Sequence, residues 1–203
     1  MDEPVVGVIL AGGLARRMGG GDKGLMCIGG KALLDRVIDR FAPQTEALVI
    51  NANGEPSRFE TYGLPVIPDS IEGAAGPLAG VLAGLDWAEP RGFSHIATAA
   101  TDTPFFPRDL VQRFKAAVKE QGGELAVAAS LGRQHPVFGL WPCHLRDDLR
   151  RALNQGIRKV DEWTGRHRLA VAAFDAKEYD PFFNANRPED LLEAESILNR
   201  YKP

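Results

Sequence analysis

Apolar residues along the chain fall into two recurring patterns. Val5, Val6, Val8, Ile9 and Leu10 make a short, nearly continuous run, as expected for a strand covered on both faces, where apolar and polar positions need not alternate. Gly7 interrupts it at small cost. Leu33, Leu34, Val37, Ile38 and Phe41 then recur at helical spacing, Ala47 to Ile50 reads as a second strand, and Val66-Ile67 as a short third. Leu78 to Trp87 reads as a helix, His95 to Ala99 as a fourth strand and Leu125 to Ser130 as a further one. Pro107 is expected to open a helix, because the first helical turn tolerates proline. Strands alternating with amphipathic helices predict a mostly parallel sheet with helices on both faces. Trp87 and Phe93 are read as core.

Length and composition fit this picture. The 203 residues are 44% hydrophobic and 25% charged, ordinary globular usage that supports one domain over 1–203. No internal repeat or low-complexity segment is present. The formal net charge of −3 gives no electrostatic reason to expect nucleic acid as a partner. Cys27 and Cys143 lie far apart, without zinc-binding spacing, and read as reduced thiols. The start, MDEPVVGVIL, is acidic with an apolar run too short for a signal peptide or a membrane span. A cytoplasmic location and no membrane partner are therefore expected.

The chemistry concentrates just after the first strand. Gly12, Gly13, Gly19, Gly20, Gly21 and Gly24 surround Arg16, Arg17 and Lys23, so main-chain N–H groups and fixed positive charge are offered to one ligand. A polyphosphate suits them. The P-loop pattern is excluded, since Asp22 precedes Lys23 and Ala32 follows Lys31. Gly19, Gly21 and Gly24 match G-x-G-x-x-G, but the dinucleotide fingerprint begins at the strand end, and this strand ends at Leu10.

Ligands of such sheets bind beyond the carboxyl ends of the strands. Polar clusters stand at four such ends: the glycine loop, Asn51-Ala52-Asn53, Pro68-Asp69-Ser70 and Thr101-Asp102-Thr103-Pro104. Asp102 is a candidate Mg²⁺ ligand, because a carboxylate at the end of a buried strand is rigidly placed to meet the ion carried by a triphosphate. It stands too early to cap a helix opened by Pro107. Asn51 and Asp69 have the donors and acceptors to read a base or ribose, and they are equally ordinary turn residues.

The run LAGGLARRMGGGDKGL resembles the MobA-like nucleotidyltransferases of molybdenum-cofactor maturation, which place Asp-Lys-Gly-Leu after Arg-Met-Gly. Related pyrophosphorylases and cytidylyltransferases usually have Pro before that lysine. Ala100-Thr101-Asp102-Thr103-Pro104 keeps the aspartate and proline of the family's Pro-Cys-Asp-x-Pro, with Ala-Thr in place of Pro-Cys; Gly76-Pro77-Leu78-Ala79-Gly80 matches GPLAG. His135-Pro136-Val137-Phe138 resembles the His-Pro-x-Phe strand, and Asn184-Ala185-Asn186-Arg187-Pro188 the Asn-x-Asn-Thr-Pro segment, with Arg187 replacing threonine.

The resemblance implies a Rossmann-like three-layer α/β/α nucleotidyltransferase fold, with a nucleotide-binding part over about 1–110 and an acceptor-binding part over about 111–203. It implies GTP and molybdopterin or its molybdenum form as substrates, Mg²⁺ as cofactor, and GMP transfer as the reaction. Other proteins of molybdenum-cofactor synthesis and molybdoenzyme chaperones are the further partners implied. By the same resemblance Arg17, Lys23 and Asp102 are catalytic, with Asp102 the metal ligand. Leu10, Ala11, Gly12, Gly13, Lys23, Asn51, Asp69, Gly80 and Asp102 bind nucleotide, and His135, Asn184 and Asn186 bind the acceptor. Alternatives are a cytidylyltransferase or sugar-phosphate nucleotidyltransferase on the same fold, and a non-catalytic protein that binds or delivers the cofactor.

Arg146 and Arg150, four apart, share a helix face, as do Asp147 and Arg151, and the stretch reads as a solvated amphipathic face. Arg158 and Lys159 could attract an anionic acceptor. Arg187 could meet an acceptor phosphate or alter the cap of the last helix. His95, His144 and His167 show no spacing for metal or nucleophilic chemistry.

Overall fold

A computed structural model describes residues 3–12, 23–71, 73 and 76–201. Strand β1 (Val5–Leu10) leads to the small antiparallel pair β2 (Cys27–Ile28) and β3 (Lys31–Ala32), then to helix α1 (Leu33–Phe41) and strand β4 (Ala47–Asn51). Strand β5 (Val66–Ile67), helix α2 (Pro77–Ala88), strand β6 (His95–Ala100) and helix α3 (Leu110–Gln121) follow. The second half carries β7 (Leu125–Ser130), β8 (Arg133–Pro142), α4 (Arg146–Asn154), α5 (Val160–Thr164), β9 (Leu169–Ala173) and α6 (Pro188–Tyr201).

Seven strands form one sheet in the order β5-β4-β1-β6-β8-β7-β9. The pairs β1–β4, β1–β6, β4–β5 and β7–β9 are parallel, and β8 runs antiparallel to both neighbours. A two-residue hairpin sets β8 against β7. Its residues Leu131 and Gly132 both have positive φ, 49° and 73°, as a turn matching the strands' twist requires. Order reverses between β1 and its neighbours β4 and β6, which creates a crevice at their carboxyl ends.

The run in β1 lacks alternation because both faces are buried. Val5 and Ile9 enter a core with Leu34, Val37 and Phe41 of α1 and Phe114 of α3. Val6 and Val8 enter another with Leu78, Leu82 and Leu85 of α2, Leu149 and Leu153 of α4 and Trp163 of α5. A third cluster, Ile28, Leu33, Phe105, Ala194 and Ile197, seats α6. Helix α2 lies close to the sheet, since a Cβ added at Gly84 would stand 2.6 Å from Val8 Cγ2. No helix among the described residues is long and apolar enough to cross a membrane.

Two expectations are corrected. Pro107 does not open α3, which begins at Leu110 with Asp109 at its N-cap. The Phe106 and Pro107 carbonyls instead accept hydrogen bonds from Arg40 Nη1 (2.8 Å) and Gln44 Nε2 (3.1 Å), so the segment is tied to the end of α1, and Gln44 Oε1 accepts the Val111 N–H at 3.1 Å. The basic face of α4 is only partly solvated: Arg150 pairs with Asp86 of α2 at 2.5 Å, and Arg146 pairs with Glu89. Arg151 pairs with Asp148 at 3.4 Å rather than with Asp147.

Candidate functional site

A cavity of about 430 Å³ opens at the crevice, between the ends of β1, β4 and β6 and the start of α2. Leu10 and Gly12 form one wall, Asn51 and Asp69 another, and Gly76 and Gly80 a third. Main-chain pairing continues past the strands: Ala11 N–H reaches Asn51 O at 2.8 Å and Ala52 N–H reaches Ile67 O at 3.0 Å. The polar side chains therefore project from an ordered edge.

Asn51 is buried, at 4% exposure. Its Nδ2 donates to Ile67 O (3.2 Å) and to Asp69 Oδ1 (3.0 Å). Asn53 Nδ2 donates to Asp69 Oδ2 at 2.7 Å, while Asp69 N–H donates to Asn53 Oδ1 at 2.9 Å. Two amides thus fix one carboxylate, whose oxygens keep further lone pairs for a ligand's N–H or O–H groups. Gly80 makes this possible, since a Cβ there would stand 2.3 Å from Asn51 Oδ1 and 2.6 Å from Leu10 Cδ2. Its role is to seat the Asn51 side chain. At the mouth, Gly76 has a φ of 103°, a conformation that side chains disfavour, and Pro77 opens α2.

Asp102 is half-buried just beyond β6. Its carbonyl accepts the Ala185 N–H at 2.8 Å, and the Thr103 hydroxyl, 3.3 Å from Asp102 Oδ1, donates to Asn184 Oδ1. Chain-distant Asp102 and Asn184 therefore meet at one place. Among the described residues no group of three or more His, Cys, Asp or Glu could hold a metal ion. A carboxylate such as Asp102 outside any such cluster fits Mg²⁺, which is usually held by one or two carboxylates with substrate phosphates and water.

The neighbouring region is built on His135. Burial lowers its pKa, with Arg133 acting in the same sense and Asp180 opposing it, so the ring is neutral at neutral pH. Ser130 Oγ donates to Asp180 Oδ1 at 2.7 Å and lies 2.7 Å from His135 Nε2. The ring stacks on Phe182, centroids 4.6 Å apart, and Asp180 Oδ1 also accepts the Phe182 N–H at 3.0 Å. Strand ends β7 and β8 are thereby fastened to the segment that leads into Asn184 and Asn186. That segment ends in α6, where Asp190 Oδ2 accepts the N–H groups of Asn186 and Arg187 at 2.8 Å each. Asp190 supplies the third-residue half of a capping box. Arg187 holds the cap position and cannot supply the other half, which needs an acceptor.

The expected residues divide clearly. Leu10, Gly12, Asn51, Asp69 and Gly80 line one cavity, and Ala11 is buried beside it. Asp102, two residues beyond the lining Ala100, meets the Asn184 segment, while His135 is joined to them through the 180–184 segment. Gly13 and Arg17 lie outside the described residues, as does the side chain of Lys23. Arg158 donates to Leu153 O (2.6 Å), in the last turn of α4, and to Ile157 O (2.9 Å), in the loop that follows it. Asn53, Thr103, Ser130, Asp180 and Phe182 were not expected as site residues, because their roles depend on tertiary partners rather than on local pattern.

Comparison with known proteins agrees with this fold. A family model described as the MobA-like NTP transferase domain matches residues 7–171. A molybdenum cofactor guanylyltransferase of Rhodopseudomonas palustris is 56% identical over 196 residues, covering 95% of this chain and 93% of the relative. One from Mesorhizobium japonicum is 47% identical over 203 residues, with 98% of each chain covered. The crystal structure of molybdopterin-guanine dinucleotide biosynthesis protein A from Archaeoglobus fulgidus superposes with a TM-score of 0.74 at 26% identity, covering 97% of this chain and 100% of that one. The 2-C-methyl-D-erythritol 4-phosphate cytidylyltransferase of Thermus thermophilus shares the fold, with a TM-score of 0.67 at 22% identity over 97% and 99% of the two chains.

Proposed function

The chain belongs to the MobA-like NTP transferase family, and from that premise we propose that it transfers GMP from GTP to molybdopterin or its molybdenum form, releasing pyrophosphate. The observation that carries this reading is the joining of two half-sites. The cavity holding Asn51 and Asp69 is also lined by Ala100, two residues before Asp102, whose neighbour Thr103 is hydrogen-bonded to Asn184 of the opposite half.

In this reading Asp69 accepts N–H groups of the base and Asn51 helps to orient it. The main chain of Leu10, Ala11 and Gly12 and the start of α2 approach the phosphates, and Gly13 belongs to the same nucleotide-binding set. Asp102 would hold Mg²⁺ together with the triphosphate, and the ion would supply positive charge to offset that of the phosphates. His135, Asn184 and Asn186 hold the acceptor, and its phosphate oxygen attacks the α-phosphorus. The bond from that phosphorus to the bridging oxygen breaks, and pyrophosphate leaves with the electron pair, its charge met by Arg17 and Lys23. A phosphate monoester has a second pKa of about 6, so at neutral pH it attacks as a dianion without a protein base.

The same reading divides the chain into a nucleotide half over about 1–110 and an acceptor half over about 111–203. It places the reaction in the cytoplasm, with other proteins of molybdenum-cofactor synthesis and molybdoenzyme chaperones supplying substrate and receiving product. The deciding experiment is pyrophosphate release with each of the four NTPs, with and without molybdopterin. Release that requires both GTP and molybdopterin is expected. Release with CTP and a sugar or alcohol phosphate instead, or nucleotide binding without release, would overturn the reading.

A further inference from the structure

A second cavity, of about 500 Å³, lies where the end of α1 meets the start of α3 and the segment after β9, and it shares no lining residue with the nucleotide cavity. Arg40 forms its base. This residue is 6% exposed, and among the described residues its guanidinium has one hydrogen bond, from Nη1 to Phe106 O at 2.8 Å, and no ion pair. A guanidinium carries five donors and a permanent charge, so burial with one carbonyl partner leaves most of its capacity unused. Arg36 and Arg108 add to the positive potential around it, and burial with that repulsion pushes its pKa down.

The rest of the lining has matching chemistry. Arg108, Arg113 and Lys177 join Arg40 against Asp175 and Glu178, leaving the cavity with excess positive charge. Phe105 and Phe174 supply apolar wall; the Arg113 guanidinium lies 4.6 Å from the centre of the Phe174 ring, and Phe105 packs edge-on against Tyr179 at 6.0 Å. The volume exceeds what a bare phosphate needs and falls in the range of small-molecule sites.

We propose that this cavity is a second ligand site for a phosphate monoester with an aromatic body, the phosphate held by Arg40, Arg108 and Arg113 and the body lying against Phe105 and Phe174. An alternative role for Arg40 is structural, holding the Phe106 carbonyl and complementing the end of α1. The two roles differ in what Arg40→Met does. Removing a buried, unpaired charge leaves stability unchanged or raised if the residue is kept for a ligand, whereas a purely structural Arg40 makes the variant less stable.

The test is calorimetric titration of the full chain with phenyl phosphate and with inorganic phosphate, in excess GTP and Mg²⁺ so that the other cavity is occupied. One saturable site is expected, with phenyl phosphate the tighter ligand. Arg108→Gln and Arg113→Gln should each weaken it roughly tenfold, the effect of one lost charge-assisted hydrogen bond. Arg40→Met should abolish it with the melting temperature held or raised. If Arg40→Met does not fold, the two exposed variants decide. Titrations unchanged in both, or no saturable binding, would overturn the proposal, and inorganic phosphate binding as tightly as phenyl phosphate would overturn the aromatic body.

Discussion

Thr103 donates its hydroxyl hydrogen bond to Asn184 Oδ1, joining residues 81 positions apart. With the 2.8 Å bond from Ala185 N–H to Asp102 O, it ties the end of β6 to the Asn-x-Asn segment. The residue expected to hold Mg²⁺ and one expected to hold the acceptor are thus placed by adjacent contacts. A shift in either is felt by the other.

Thr103→Val removes the hydroxyl with little change of volume. Thr103 is buried and Asn184 exposed, so Asn184 loses the donor that positions it and its Oδ1 turns to solvent instead. The acceptor KM should rise about tenfold, the worth of one or so kcal/mol of hydrogen bonding, while the GTP KM stays as it was. Steady-state kinetics with each substrate varied in turn checks this, and an equal rise in both would show that the tether does not belong to the acceptor half.

Asp102→Asn keeps the backbone contact to Ala185 and changes only the charge of the side chain. Turnover should fall by a factor of roughly 100 to 1,000, the usual cost of losing one electrostatic contributor to a transition state, with the melting temperature little altered. Lys23→Ala should behave alike. Near-normal turnover in either variant would remove that residue from the catalytic set.

Gly80→Ala puts a methyl group 2.3 Å from Asn51 Oδ1, so Asn51 must move away from Asp69. Alanine gains helix propensity over glycine by up to about 1 kcal/mol, which partly offsets the strain. The expected result is a small change in stability with a severalfold weaker GTP affinity, measured by calorimetric titration. Unaltered affinity would mean that the Asn51–Asp69 contact does not shape the nucleotide site.

The nucleotide half was legible because its residues follow strands, and a buried run of Val and Ile announces a strand end. Leu10, Asn51, Asp69 and Asp102 could be placed on one edge by that rule alone. Ser130 and Asp180 could not, since nothing local distinguishes them; their meaning is a contact 50 residues apart. The resemblance marks a strand at His135–Phe138, but its antiparallel pairing with β7 was equally hidden. Its turn is Leu131-Gly132, and leucine at a φ of 49° is no signal for a hairpin, unlike Asn-Gly. Pro107 misled because Arg40 of α1 and Gln44, in the turn just after it, take the Phe106 and Pro107 carbonyls and tie this segment to α1.

The two cysteines should differ in reactivity. Cys143 is buried and its thiol is pushed up to about 11 by that burial, so little reactive thiolate forms at neutral pH. Cys27 is exposed. A colorimetric thiol reagent should therefore modify a single cysteine in the native protein and both after denaturation. Two fast equivalents in the native state would contradict the burial of Cys143.

Acid should weaken the protein in two stages. Burial lowers the pKa of His135 and of His95 from the ordinary 6.5, so folding favours the neutral rings. Their contribution is fully present above the unfolded-state pKa and is lost as pH falls through the lower folded-state values. Glu3, Glu124 and Asp148 are lowered too, chiefly by hydrogen bonds from Ser94, His144 and Trp163, and their contribution is lost only at more acidic pH, below the ordinary carboxylate values. His135→Gln removes one group from the first stage. Urea unfolding between about pH 7 and pH 5 should then show a shallower fall in stability than in the parent, with the carboxylate stage unchanged. The acceptor KM should rise as well, because the ring that stacks on Phe182 at 4.6 Å also steadies the segment leading to Asn184. An unchanged slope together with an unchanged KM would mean that His135 neither titrates with folding nor supports the acceptor half.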